Sequence, residues 1–294
     1  MHPSHNPIFF FLYGCQKTGT TWLYKNLNQS EQFYDGGLKE WRFWKFYFSN
    51  KLQVKKKFGF GGVAKKYIVV DAVPRRKLKP DEVIRRVNYA DPDQFIERVT
   101  SQVLENPDCR VLGDCSPSIG RVIGSEGRAK LIDLMGGLGF RPKSLWIIRD
   151  PLTRSLSLLR MALTNGRFGQ GELEKVRKDQ GHLTKIIREN LQFIVRESQY
   201  DLGWEEFHNM QVPTKLIHFE DLFKQAKFDE ITQFLEMDNL KIIPEKVNAG
   251  SSFPISSENK KIIAKELQAT YSFFQSLYGE EELPASWIES LEYL

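Results

Sequence analysis

Ile8-Phe-Phe-Phe-Leu-Tyr13, running directly into Gly14-Cys-Gln-Lys17-Thr18-Gly19-Thr20-Thr21-Trp22, is the stretch on which the fold of this chain turns. The first six residues are apolar without a break, the pattern of a central strand buried on both faces. A run of that length is too short for the apolar core of a secretory signal and far too short to span a bilayer. The Gly/Thr-rich turn then leads into a helix that begins at about Trp22. Glycines let the backbone turn tightly, and a helix N-terminus presents free N–H donors to an anion. The hydroxyls of Thr18, Thr20 and Thr21 add donors, and Lys17 adds a mobile positive charge. Strand, loop and helix together make a phosphate cradle.

The nucleotide-hydrolase loop has the pattern G-x-x-x-x-G-K-[ST]. Gly14 and Gly19 match its glycine spacing, but Thr20 stands where the lysine belongs, and the lysine sits two residues before Gly19 instead. That relocation argues against an ATPase or GTPase. No convincing partner acid for a magnesium ion accompanies the loop, Asp71 after Ile68-Val69-Val70 being a candidate.

Outward from this loop, strands and helices alternate. Asp93 to Asn106 has helical periodicity, with Ile96, Val99, Val103 and Leu104 on one side. Cys109 to Gly113 reads as a short strand, Glu126 to Met135 as a helix, and Lys143 to Ile148 as a second strongly apolar strand. A helix follows from about Thr153, another spans Leu183 to Ser198, Thr214 to Phe219 is a strand, and Glu258 to Tyr278 is a long closing helix. The alternation predicts a three-layer α/β fold of P-loop-like type, its mostly parallel central sheet flanked by helices. One domain is expected over residues 1–294, with an irregular insert at about 33–90 above the carboxyl edge of the sheet, where such folds bind ligands.

The 294 residues are 41% hydrophobic and 27% charged, which suits a globular chain with a sizeable core and excludes a disordered one. A net charge of +5 is mild, and no nucleic-acid partner is expected from it. The charge is uneven: Lys51 to Arg86 holds twelve lysines and arginines against three acids. Such a segment suits an anionic partner, or forms a solvated face. Three cysteines, Cys15, Cys109 and Cys115, are odd in number and lack metal-ligand spacing, the pattern of free thiols in a reducing compartment. With no apolar run long enough to span a membrane, a soluble cytoplasmic protein is expected.

A second motif lies at the end of the apolar strand Leu145-Trp-Ile-Ile148: Arg149-Asp150-Pro151, then Arg154 and Ser157. A guanidinium at a strand end can grip a phosphate through its planar fork, and a serine eight residues on, in the following helix, can donate its hydroxyl to the same group. Taken together, Lys17-x-Gly19-Thr20-Thr21 and Arg149 to Ser157 resemble the two nucleotide-binding signatures of the sulfotransferase family. That resemblance implies a sulfonate transferase whose co-substrate is 3′-phosphoadenosine 5′-phosphosulfate, with 3′,5′-diphosphoadenosine as product and no metal. It assigns Lys17, Thr18, Gly19, Thr20, Thr21 and Trp22 to the 5′-phosphosulfate, and Arg149 and Ser157 to the 3′-phosphate. It further implies that Lys17 assists departure of the phosphate. Arg154 fits the family's Arg-Asp-Pro-x-x-Arg spacing, as a structural or a ligand-binding residue.

Lys39-Glu40-Trp-Arg-Phe43 resembles the Lys-Glu-x-His-Phe element of the carbohydrate sulfotransferases, which implies Glu40 as the catalytic base. Arg42 replaces the usual histidine. Cations at 39 and 42 keep Glu40 ionised and make it a weaker base. None of the five histidines matches the position that serves small-phenol sulfotransferases. Asp114 and Ser116, in Gly113-Asp-Cys-Ser-Pro117, resemble another family segment and are candidate acceptor-side or donor-side contacts. His218-Phe-Glu220-Asp221-Leu222 resembles an element that closes the sheet, and residues 248–252 occupy the place of a loop over the adenosine. The family's basic Arg-Lys-Gly loop near the C-terminus is absent. The rings of Trp41, Phe43, Trp44, Phe46, Tyr47 and Phe48 are expected to fill the core or to stack on sugars. The acceptor is expected to be a small molecule or carbohydrate bearing a hydroxyl or amine, with anionic ones favoured by the basic segment. Two other readings stay open: a variant P-loop kinase, and a nucleotide-binding module without catalysis.

Overall fold

In the computed structural model, which describes residues 6–48, 91–117, 119–244 and 253–294, five strands carry the architecture. They are β1 (Ile8–Leu12), β2 (Phe33–Tyr34), β3 (Val111–Asp114), β4 (Arg141–Ile148) and β5 (Thr214–His218). They form one all-parallel sheet in the order β2-β3-β1-β4-β5, flanked by helices, as the alternating sequence predicts. β1 pairs with β3 on one side and β4 on the other, with Phe10 level with Gly113 and Lys143. Its five residues are at most 1% exposed, which is why the sequence there is unbroken phenylalanine and aliphatic. Because later strands add on both sides of β1, its carboxyl end lies where the strand order diverges. In open α/β sheets that crevice is the ligand site.

The described residues group into two compact units, one drawn from 1–13, 24–145 and 229–240, the other from 14–23, 146–228 and 241–294. In the first, Asp91 caps the Pro92–Glu105 helix by accepting from the Gln94 amide at 3.0 Å. That helix buries Phe95, Ile96, Val99 and Val103, each contributing about 1.5–3 kcal/mol of apolar burial. Phe95 meets Trp41 edge to face at 5.0 Å, and Trp41 lies 5.8 Å from Phe9 of β1. Trp41, Phe43 and Trp44 are therefore core residues, at most 2% exposed.

In the second unit, Asp150 caps the Pro151–Thr164 helix by accepting from the Thr153 amide at 2.7 Å. It also accepts from the hydroxyls of Tyr271 (2.5 Å) and Ser290 (3.0 Å), which ties the C-terminal helices to the end of β4. Arg154 is wholly buried and committed to internal bonds: to the Ser198 hydroxyl, to the Ile194 carbonyl at 2.8 Å, and to Glu197 at 3.6 Å.

Two expected helices are each broken in two. The 183–198 stretch is a Gln180–Glu189 helix, a Leu191–Val195 helix and a final 3₁₀ turn. The break falls at Asn190, which leaves the helical conformation (φ −123°) while its side-chain amide joins its backbone N–H on the Ile186 carbonyl, at 2.9 and 3.1 Å. The closing helix is Ser257–Glu266 followed by Gln268–Tyr278, with a tight turn in which the Leu267 amide donates to Ala264 at 2.8 Å. Cys15, Cys109 and Cys115 are buried free thiols. No described helix is long and apolar enough to cross a membrane. The basic stretch 51–86, Asp71, the insert from residue 49 to residue 90 and the 248–252 loop lie outside the described residues.

Candidate functional site

In the second unit, the chain after β1 folds into a tight loop fixed from within. Gly14 admits no side chain, since a Cβ there would lie 2.8 Å from the Trp146 ring and 3.2 Å from the Ile147 carbonyl. The Thr18 hydroxyl donates to the Cys15 carbonyl at 2.8 Å, and the Gln16 amide donates to the Glu197 carboxylate at 3.0 Å. What Thr18 offers an outside group is thus its backbone N–H. Gly19 has φ +82°, and a Cβ on it would meet Leu222 at 2.7 Å and Phe219 at 3.1 Å. The helix starts at Thr20, its first turn closed by the Leu23 amide on the Gly19 carbonyl at 3.0 Å. Thr20, Thr21 and Trp22 occupy that first turn, the end of a helix whose N–H groups point toward an incoming anion. The Trp22 ring packs edge-on against Phe223 (5.1 Å) and Phe228 (5.7 Å), anchoring the helix.

Lys17 takes the left-handed conformation, φ +71°, which costs an L-residue about 1–2 kcal/mol. Strain of this kind concentrates at functional loops. Arg149, 132 residues later, donates from Nη1 to the Lys17 carbonyl at 3.3 Å. Its guanidinium also sits over the Phe219 ring, 4.4 Å from the centroid. Tyr200 fixes the Arg149 backbone, donating its hydroxyl to the carbonyl at 2.9 Å and accepting from the amide at 3.3 Å. Burial and then the neighbouring Arg149 lower the Lys17 pKa. Burial is also the main cause that lowers Arg149, with Arg154 adding to it against the pull of Glu220, Tyr200 and Asp150. Among the described residues neither Lys17 nor Arg149 is in an ion pair. Two cations that feel each other's charge, with Glu220 and Asp150 only partly offsetting Arg149, make a site for a polyanion. Ser157 lies half-buried on the Pro151–Thr164 helix that starts just after Arg149.

Glu40 belongs to the first unit and is 7% exposed. Lys39 donates to Oε1 at 3.0 Å, and Arg42 pairs with Oε2. Burial alone would raise its pKa; Lys39 and then Arg42 outweigh burial, so the carboxyl is held below the ordinary glutamate range. Arg42 is also left-handed, φ +55°. The loop that carries Glu40 is clamped by the end of β3. Asp114 Oδ1 accepts from the Trp41 amide (3.2 Å) and from the amide and hydroxyl of Ser116 (2.8 and 2.6 Å). Asp114 Oδ2 accepts the Trp44 indole N–H at 2.9 Å. The Ser116 hydroxyl accepts from the Arg42 amide at 3.3 Å, and the Cys115 amide donates to the Lys39 carbonyl at 3.0 Å. Asp114 and Ser116, expected as ligand contacts, are thus occupied in positioning the 39–42 loop. Nothing in their spacing signals this, nor the part Tyr200 plays at Arg149, because both depend on contacts between distant segments.

The described histidines are engaged elsewhere. His182 meets Glu172 at 2.5 Å, His208 packs at a tilt 4.0 Å from the Trp204 ring, and His218 lies 5.6 Å from the Trp287 ring, its pKa lowered chiefly by burial.

No protein-family model matches the chain, and no curated protein matches it in sequence. The folded chain does have a match. The crystal structure of a sulfotransferase from Alicyclobacillus acidocaldarius superposes with a TM-score of 0.58, over 96% of this chain and 99% of that one. The two share a fold. At 15% identity the likeness extends to the fold alone.

Proposed function

We propose that this chain is a sulfotransferase that moves a sulfonate group from 3′-phosphoadenosine 5′-phosphosulfate to a hydroxyl or amine of a small-molecule or carbohydrate acceptor. The observation that supports it most is the Arg149 guanidinium on the Lys17 carbonyl at 3.3 Å, which joins two motifs far apart in sequence into one cationic cluster. A nucleotide with phosphate at its 5′ end and again on its 3′-oxygen fits two such groups, and a kinase substrate needs only the first. The fold shared with a sulfotransferase points the same way.

In this reading, the first-turn N–H groups of Thr20, Thr21 and Trp22 and the loop amides of Thr18 and Gly19 hold the 5′-phosphosulfate. Arg149 and Ser157 hold the 3′-phosphate. The acceptor oxygen or nitrogen attacks sulfur in line as the bond from sulfur to the bridging phosphate oxygen breaks. Glu40 takes the acceptor's proton, a contribution typically of about 10²–10⁴ in rate. Lys17 offsets the charge that gathers on the departing phosphate oxygen. The products are the sulfonated acceptor and 3′,5′-diphosphoadenosine. The whole chain acts as one catalytic domain. Incubation with sulfur-labelled donor and a panel of sugars, phenols and amines tests it: label appears on an acceptor if the reading holds. Label that stays on the nucleotide with every acceptor, while ATP donates phosphate, contradicts it.

A further inference from the structure

The Pro151–Thr164 helix carries another cation on the side that bears Ser157. Arg160 lies three residues beyond Ser157, close to one turn, so both side chains project from neighbouring positions of one face. Its Nη2 donates to the Phe253 carbonyl at 3.3 Å, and its guanidinium lies 5.7 Å from the Phe253 ring centroid. Its Nε is buried and has no hydrogen-bond partner among the described residues. Burial, and after it the charge of Arg149, lower its pKa, so the two guanidinium groups feel each other. Among the described residues Arg160 has no carboxylate partner. The chain contains no arginine after Arg196, so any second guanidinium for a nucleotide in this unit comes from upstream.

A buried N–H of a charged group that finds no acceptor is costly, and such a group persists where a ligand supplies one. Lys17, Arg149 and Arg160 form a chain of mutually repelling cations, and a phosphate dianion relieves the repulsion. The Phe253 carbonyl holds one amino group of the fork, which keeps the guanidinium orientation fixed while Nε stays open.

We propose that Arg160 is a further ligand-binding residue of this site and grips the 3′-phosphate of the nucleotide together with Arg149 and Ser157. This rests on the sulfotransferase reading and extends it. The 3′-phosphate then lies between two guanidinium groups, which sharpens discrimination against nucleotides that lack it.

Titration calorimetry with 3′,5′-diphosphoadenosine and with adenosine 5′-monophosphate tests it on wild type, Arg160→Gln and Arg160→Lys. The expected result is a loss of about 10- to 100-fold in diphosphate affinity for Arg160→Gln, the size of one charge-assisted contact. Monophosphate affinity stays within about twofold, Arg160→Lys recovers part of the loss, and the melting temperature without ligand is unchanged. Equal losses for both nucleotides, or none for either, overturn the role of Arg160 while leaving the wild-type reading intact. A wild type that binds no diphosphate overturns both.

Discussion

The indole N–H of Trp44 donates to the Asp114 carboxylate at 2.9 Å, and both side chains are shut off from solvent. This bond ties the loop after Glu40 to the end of β3, and it carries a pH signature. Burial pushes the Asp114 carboxyl up to about 6, above its value in the unfolded chain. Between the two values the folded state binds more protons, so stability falls as pH rises from about 4 to about 6 and levels off above that. A shift of this size corresponds to about 3 kcal/mol. Urea denaturation at pH 4 and pH 7 is expected to show that difference in wild type and to show it much reduced in Asp114→Asn. Equal pH dependence in both proteins contradicts the assignment.

Lys17 combines a left-handed backbone with a charge that has no acidic partner among the described residues. Lys17→Ala is expected to lower turnover by about 10²–10³ with the melting temperature preserved. Lys17→Gly is expected to be equally inactive yet about 1 kcal/mol more stable than the alanine variant, because glycine accepts the positive φ without strain. Steady-state kinetics and thermal denaturation of the pair separate the two contributions.

Lys39 and Arg42 hold the Glu40 carboxyl below the ordinary glutamate range, so with Glu40 as the proposed base the acid limb of the pH–rate profile is expected to lie below that range. Arg42→Gly keeps the left-handed backbone comfortable and removes one of the two cations. The Glu40 pKa then rises, and the acid limb is expected to move to higher pH. Glu40→Gln is expected to cost about 10²–10⁴ in kcat. An unmoved limb in Arg42→Gly, or full activity in Glu40→Gln, removes Glu40 as the base.

Arg154 is wholly buried among Ser198, Ile194 and Glu197. Arg154→Ala is expected to destabilise the protein by about 3–5 kcal/mol, since it strands buried polar partners. Denaturant titration checks this. A variant with wild-type stability and weakened nucleotide binding reverses the assignment.

The sheet was legible because β1 and most of β4 are buried on both sides, and that burial selects unbroken apolar runs such as Phe9 to Leu12. The loop was legible because Gly14 and Gly19 sit where no side chain fits. Helix breaks were not, since apolar spacing runs through Asn190 unaltered and nothing marks Leu267. The clamp of Asp114 on Trp41 and Trp44 was also hidden, because a carboxylate that serves the backbone 73 residues away looks in sequence like any other acid. Arg160 lay one turn from Ser157 in plain view. Its unpartnered Nε is a property of packing.

The Lys17 loop and Arg149 are proposed to bind together a nucleotide phosphorylated at both ends of its ribose. Titration calorimetry of wild type and Arg149→Ala, with 3′,5′-diphosphoadenosine and separately with ATP and magnesium, tests it most directly. Wild type is expected to bind the diphosphate in preference to ATP, and Arg149→Ala to lose most of that preference. Tight binding of ATP with magnesium and none of the diphosphate contradicts it.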